Sequence, residues 1–296
     1  MARKQDWIIG GVILAAVALM FIVFVVLVFT LSTRSNVGLG STGDKVAVIE
    51  LNGIISSSRD MVRQFKRFGE DRGIKAIVFR INSPGGGIAA SQEIYEHVRR
   101  VRDEGKPVVA SMGSVAASGG YYVALGADTI MANPGTTTGS IGVIAEIPNF
   151  SGLLEKIGVS FNIIKSGKFK DLGTPYRDMT DEEREQLQDW IDSGYDQFVR
   201  VVAEERGMEG ERVRQLADGR VYTGEQALEL ALIDTLGTFE DAVQLAADMA
   251  GIKGEPRLVR AKQRKVTLFD LLTSDLRILF CETFGPWPRA KYQLTW

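Results

Sequence analysis

Two glycine-rich segments and one lysine cluster carry the groups best suited to chemistry in this chain. Asn82-Ser-Pro-Gly85-Gly86-Gly87 stands between a β-rich run and a helical one. A turn there exposes N–H groups, aided by the dipole of the following helix. That suits an oxyanion or a phosphate, and a plain tight turn fits equally well. The spacings of a phosphate-binding P-loop and of a G-x-G-x-x-G dinucleotide loop are both absent. Gly113-Ser-Val-Ala-Ala-Ser118-Gly-Gly-Tyr-Tyr122 occupies a second strand-to-helix junction. Ser118 before two glycines is what an exposed nucleophile with an adjacent amide requires, although an ordinary N-cap serine looks the same. Ser111 and Ser114 compete for the role. The third segment, Lys165-Ser-Gly-Lys168-Phe-Lys170-Asp-Leu-Gly173, offers three lysines in a glycine-containing loop.

The 296 residues include one His, His97, and one Cys, Cys281. No four-ligand Cys/His zinc site and no intramolecular disulfide can be built from them. A nucleophilic serine must lose its proton to some base, and His97 is poorly placed for that. It falls on the charged side of its helix, one turn from Glu93 and Arg100 and opposite Ile94, Val98 and Val101. A lysine serves instead if burial keeps it neutral. Lowering its pKa from about 10.4 to about 8 costs on the order of 3 kcal/mol, which desolvation can supply. Spacing alone does not choose among Lys165, Lys168 and Lys170. A formal net charge of −2 argues against a nucleic-acid partner, which calls for a basic face.

The elements that must position these groups alternate. Strands are expected at Val46–Leu51, Lys75–Ile81, Pro107–Met112, Asp128–Ala132, Ile141–Ala145 and Ser160–Lys165. Helices are expected at Arg59–Phe68, Ala89–Glu104, Gly119–Leu125 and Phe150–Ile157. Such alternation implies an α/β fold with a mostly parallel sheet covered by helices. Thr180-Asp-Glu-Glu183 is a capping box opening a long helix that Gly207 closes. Shorter helices follow near 211–217, 224–231 and 239–250. The basic run from Arg257 to Lys265 reads as a solvated strand edge, with a membrane-surface contact as the alternative.

Ahead of all this, Trp7 to Thr33 carries no charge, and Ile8 to Leu31 is almost continuously apolar. As a helix, that stretch reaches about 36 Å, enough to cross a hydrocarbon core of about 30 Å. It is too long for the core of a cleaved signal and lacks a small-residue cleavage site. Arg3 and Lys4 before the span place the N-terminus in the cytoplasm and the remainder outside. The organisation expected is therefore a cytoplasmic N-terminus and transmembrane signal anchor over 1–34, a linker over 35–44, a catalytic domain over 45–265, and an amphipathic segment and tail over 266–296.

The ordered set S-P-G-G, S-V-A-A-S-G-G-Y-Y, T-G-S-I-G-V, S-G-K-F-K-D, P-x-R-x-M-T-x-E-E-R and D-G-R-V-Y-T-G resembles the signal peptide peptidase A family over roughly residues 45–250. The resemblance implies a membrane-anchored Ser/Lys peptidase on the Clp protease/crotonase-like fold, with no metal or organic cofactor. It implies Ser118 as nucleophile and Lys170, 52 residues later, as general base. Ser140 would orient the lysine, and the amides of Gly85 and Gly119 would form the oxyanion hole. Substrates implied are apolar membrane peptides, chiefly released signal peptides. The short form of the family implies a homo-oligomeric ring with serine and lysine from neighbouring subunits. Two other readings fit the same motifs: a related Ser/Lys peptidase with another client, such as a stomatin-like partner, and a non-enzymatic membrane scaffold. One position departs from the family pattern, since Ala231 stands where glycine is usual, and an effect on packing alone is expected.

Overall fold

A computed structural model describes Leu19–Met20, residues 44–261 and residues 291–293. Leu19 and Met20 are helical. The rest of the expected membrane span, the linker before Asp44, and most of the tail lie outside the described residues, as does Cys281. Among the described residues no helix is long and apolar enough to cross a membrane.

The strands are β1 (Lys45–Asn52), β2 (Ile74–Ser83), β3 (Gly85–Gly87), β4 (Val108–Ala117), β5 (Thr129–Ala132), β6 (Thr137–Gly139), β7 (Val221–Thr223), β8 (Thr235–Leu236), β9 (Arg257–Arg260) and β10 (Lys291–Gln293). The helices are α1 (Arg59–Glu70), α2 (Ile88–Asp103), α3 (Gly119–Ala124), α4 (Ser151–Lys156), α5 (Asp181–Arg206), α6 (Gly210–Leu216), α7 (Gly224–Glu229) and α8 (Phe239–Met249). The main sheet runs β7-β6-β4-β2-β1-β9, with only β6 and β7 antiparallel along that path. β4 is long enough to serve two partners on one edge. Its Val109–Ser111 pair with β5, and its Val115–Ala117 pair with β6. β8 extends the β5 branch, and β10 pairs with β3 in a separate two-stranded ladder.

Both faces of the sheet are covered, which is why its central strands read as continuous apolar runs. Ala47, Ile49, Ile77, Phe79 and Ile81 face α1, α2 and α5. There Phe65 meets Phe79 edge-on at 5.0 Å between ring centres. The alternate residues Val46, Ala76, Val78 and Val109 pack on Ala242, Ala246 and Ala247 of α8. The Thr180/Glu183 capping box forms, and Gly207 ends α5 in the left-handed conformation. β9 lies at the sheet edge with Arg257 and Arg260 exposed, as expected of a solvated edge.

Two expected strands are absent. Over 137–145 the chain pairs earlier than expected, at β6, and then leaves the sheet. Gly139 and Ser140 have φ of 75° and 51°, which turn Ile141–Ala145 away from the ladder. Ser160–Lys165 is exposed throughout and is not a strand. Its β-forming side chains have no sheet to pack against within the chain, and β propensity is chiefly such packing.

Ala231 has a φ of 57°, in the left-handed region that favours glycine. Its carbonyl accepts from Arg206 Nε at 2.8 Å and its N–H donates to the Leu228 carbonyl at 3.0 Å, so the strained turn is held at both ends. Left-handed backbone costs a Cβ-bearing residue roughly 1–2 kcal/mol, and glycine gives back about 0.4–1 kcal/mol through the unfolded chain. Ala231→Gly is therefore expected to stabilise the protein by up to about 1 kcal/mol, read as a raised denaturation midpoint. An unchanged or lowered midpoint would show that the turn carries no strain.

Candidate active site

The register of three parallel strands builds the site. Ser83 of β2 pairs with Ala116 of β4, and Ala116 pairs in turn with Thr138 of β6. Two residues further along each strand come Gly85, Ser118 and Ser140. All three therefore sit at the carboxyl edge of the sheet, where parallel α/β folds place ligands. The close approach is enforced by glycine: a Cβ on Gly120 would lie 2.5 Å from the Ser83 carbonyl oxygen.

Ser118 lies between β4 and α3 with φ 53° and ψ −117°, a conformation costing a non-glycine residue about 1–3 kcal/mol. Its N–H donates to the Gly139 carbonyl at 2.8 Å, and its carbonyl accepts from the Tyr122 N–H at 2.9 Å. The residue is 1% exposed, and its Oγ is buried with no hydrogen-bond partner. Leaving a buried hydroxyl unsatisfied costs about 1–3 kcal/mol. The competing serines differ. Ser111 Oγ accepts from Arg80 Nη1 at 2.9 Å, and Ser114 is exposed on β4. Of the three, Ser118 alone joins strained backbone to an unengaged buried hydroxyl.

Gly85 has a φ of 101°, and its N–H donates to Ser83 Oγ at 3.1 Å. An incoming oxyanion would have to take that hydrogen bond over from the Ser83 hydroxyl. Gly119 is the first residue of α3 and is buried next to Ser118. Ser140 is 7% exposed, and its N–H donates to the Arg220 carbonyl at 2.8 Å. A cleft of about 590 Å³ opens beside Ser140, lined in part by Val143, Ile144, Ile191 and Tyr195.

Lys170 is not brought to Ser118 within this protomer. It is exposed, and Ser118 Oγ has no partner. The other two lysines of its loop are engaged. Lys165 Nζ pairs with Asp171 and also donates to the Lys168 carbonyl at 2.9 Å, while Lys168 Nζ pairs with Glu182. Among the described residues the Lys170 amine has no hydrogen-bond or ion-pair partner. An ion-paired lysine is held charged, whereas a free one can be made neutral by burial.

A clamp that sequence reading missed fixes this loop to α5. The Arg177 guanidinium donates to Asp171 Oδ2 from Nε at 3.1 Å and from Nη2 at 2.9 Å. It also donates to Glu183 Oε2 from Nη1 at 2.8 Å and engages Glu183 Oε1 from Nη2. Glu183 is 3% exposed, and the guanidinium holds its carboxyl down at about 2. Lys165 first and Arg177 second hold the Asp171 carboxyl below its ordinary value. The signal was present in P-x-R-x-M-T-x-E-E-R, but Glu183 reads there only as a capping residue.

The remaining candidates are structural. His97 donates from Nδ1 to the Glu93 carbonyl of its own helix at 2.9 Å. Tyr121 is fully buried with its hydroxyl donating to the Leu232 carbonyl at 2.8 Å. Tyr122 is stacked edge-on with Tyr95 and Phe198, and burial pushes its phenol up to about 12. Neither tyrosine lines an open groove.

Comparison with known proteins agrees with this geometry. Residues 100–253 match peptidase family S49, and residues 47–138 match Clp protease. A protein of Synechocystis sp. named as a candidate protease is 49% identical over 72% of this chain and 76% of its own. One of Enterococcus faecium named as a candidate signal peptide peptidase is 39% identical over 71% of this chain and 65% of its own. Protease 4 of Salmonella typhi is 38% identical over 72% of this chain but only 36% of its own length, so the match spans about a third of that protein. The match to peptidase family S49 over more than half of the chain, together with relatives named as proteases that are 38–49% identical, places the chain in peptidase family S49 as a serine protease.

Proposed function

We propose that the protein is a membrane-anchored serine endopeptidase that degrades released signal peptides and similar apolar membrane peptides, with Ser118 as nucleophile and Lys170 as general base. The observation that carries this reading is the buried, unpartnered Ser118 Oγ on strained backbone, level with Gly85 and Ser140, in a protomer whose Lys170 is exposed and unpaired. A serine without its base and a lysine without its pocket are complementary halves. Two neighbouring copies complete one site if the Lys170 loop of one reaches Ser118 of the next. Burial at that contact is what would keep the amine neutral.

The segment leading to Lys170 supports such packing. Phe150, Leu153, Ile157, Phe161 and Ile164 are each at least 46% exposed. Contiguous apolar surface of this kind marks an interaction face. In the completed site, neutral Lys170 takes the Ser118 proton and Oγ attacks a peptide carbonyl. The Gly85 and Gly119 amides hold the oxyanion, and Ser140 orients the lysine. Lys170 then protonates the leaving amine, and water releases the acyl group. The name of the Enterococcus faecium relative favours signal peptides as substrates. The apolar run over 8–31, with Arg3 and Lys4 before it, favours a catalytic domain outside the membrane and a cytoplasmic N-terminus.

Full-length Ser118→Ala and Lys170→Ala, expressed singly, are each expected to lose at least about 10³-fold in peptide hydrolysis. Co-expressed in equal amounts, they should regain about a quarter of wild-type activity, because one contact in four joins an intact serine to an intact lysine. No regain would overturn the shared site, and hydrolysis persisting in Ser118→Ala alone would overturn the nucleophile.

The Arg177 clamp gives a second expectation. Arg177→Gln should lower kcat by about 10–100-fold through misplacing the Lys170 loop, with KM little changed. The Glu183 carboxyl is depressed from 4.5 to about 2, so its share of stability is complete above pH 4.5 and is lost as pH falls from there towards 2. Hydrogen exchange over 165–183 should rise in that window for the wild type and already be high at pH 7 in Arg177→Gln. Equal protection of the two proteins at pH 7 would contradict the clamp.

A further inference from the structure

The Gly85 N–H is engaged by a side chain, since Ser83 Oγ accepts from it at 3.1 Å. Ser83 ends β2 and is 0% exposed. Its main chain is fixed by pairing with Ala116, two residues before Ser118. Gly120, two residues after Ser118, comes so close that a Cβ there would lie 3.5 Å from Ser83 Cβ. The Ser83 side chain therefore stands where the Gly85 turn and the Ser118 turn meet.

A serine hydroxyl has one proton to donate and two lone pairs. At Ser83 one lone pair serves Gly85, and among the described residues Oγ makes no other hydrogen bond. Its proton thus has no acceptor there. Holding the turn needs only the lone pair, so this buried proton has no use in the fold.

We propose that Ser83 is a catalytic residue, a third oxyanion donor whose hydroxyl holds the Gly85 amide until the oxyanion takes it over. This rests on the catalytic reading above, in which the Gly85 and Gly119 amides are the other two donors. The Gly85 N–H brings the two oxygens together. An oxyanion bound about 2.9 Å from that nitrogen arrives beside the Ser83 Oγ it displaces, within hydrogen-bond reach of it. The hydroxyl then turns its proton to the negative oxygen.

One neutral hydrogen bond, from Gly85 to Ser83, is replaced by two to an ionised acceptor. Each of those is about twice as strong as a neutral one. The Ser83 proton stays on its own oxygen throughout, and only Ser118 is deprotonated. A neutral substrate carbonyl gains much less, because it exchanges one neutral bond at Gly85 for another. The stabilisation is thereby concentrated in the transition state, which raises kcat and leaves KM almost unchanged.

The test uses the full-length chain purified in detergent, with an apolar peptide as substrate. Ser83→Ala is expected to lower kcat about 10²-fold and to leave KM within about twofold. A peptide aldehyde, whose hemiacetal oxygen on Ser118 sits where the oxyanion forms, should bind Ser83→Ala about 10²-fold more weakly. Wild-type kcat in Ser83→Ala, or a rise in KM that accounts for the loss, overturns the proposal and leaves the peptidase reading standing. Hydrolysis that persists in Ser118→Ala would instead overturn the peptidase reading. The wild-type aldehyde adduct needs no Ser83 variant and reads the contact directly. Its crystal structure is expected to place Ser83 Oγ within about 3.2 Å of the hemiacetal oxygen. A longer separation overturns the donor role whatever the kinetics.

Discussion

Ser83, Ala116 and Thr138 pair across β2, β4 and β6, and that register sets the three strand ends level. The Gly85, Ser118 and Ser140 turns then emerge side by side from separate parts of the sequence. The register is held by burial on both faces of the sheet, because a slip of one residue would exchange the two sets of side chains. Val46, Val78 and Val109 belong against α8, and Ile49, Phe79 and Ile81 belong against α1 and α2. The geometry of the edge is thus maintained by apolar contacts distant from it. At the edge itself the backbone is strained at Ser118 and Ser140, both at positive φ. The packed sheet below sustains a cost that neither residue would bear in a free loop.

On the proposed reading, the same edge in one chain is a half-site. Ser118 is buried with an unsatisfied oxygen, while the lysine loop stands in solvent beside an exposed apolar segment. Burying it at a contact between copies would supply both proximity and desolvation in one event. Asp171, Arg177 and Glu183 stiffen the base of the loop, so that less entropy would be lost in such a contact.

Much of this was legible in the residues. The alternating pattern predicts the parallel sheet, and the capping box and Gly207 predict both ends of α5. The S-P-G-G and A-S-G-G segments predict the two turns, because glycine is needed where backbones nearly touch, as at Gly86 and Gly120. What was not legible depends on distant partners. β6 and β7 are three-residue strands that exist only because β6 pairs with β4 and β7 pairs with β6. Ser160–Lys165 has strand-like composition and no partner, so it stays out of the sheet. Arg177 reads as one charge among many until the fold sets Asp171 and Glu183 on either side of it. Ala231 was read as a packing change, yet its importance lies in a positive φ. The pairing of β10 with β3 has no local signature at all.

The central claim is that Ser118 becomes nucleophilic only when a neighbouring copy supplies its base. The most direct measurement is the rate at which a serine-reactive phosphonate labels Ser118 as the full-length protein is diluted from assembled to monomeric. The labelling rate per chain is expected to fall with the assembled fraction and to vanish in the monomer. A rate per chain that stays constant through dissociation would contradict the claim and place the base within the same subunit.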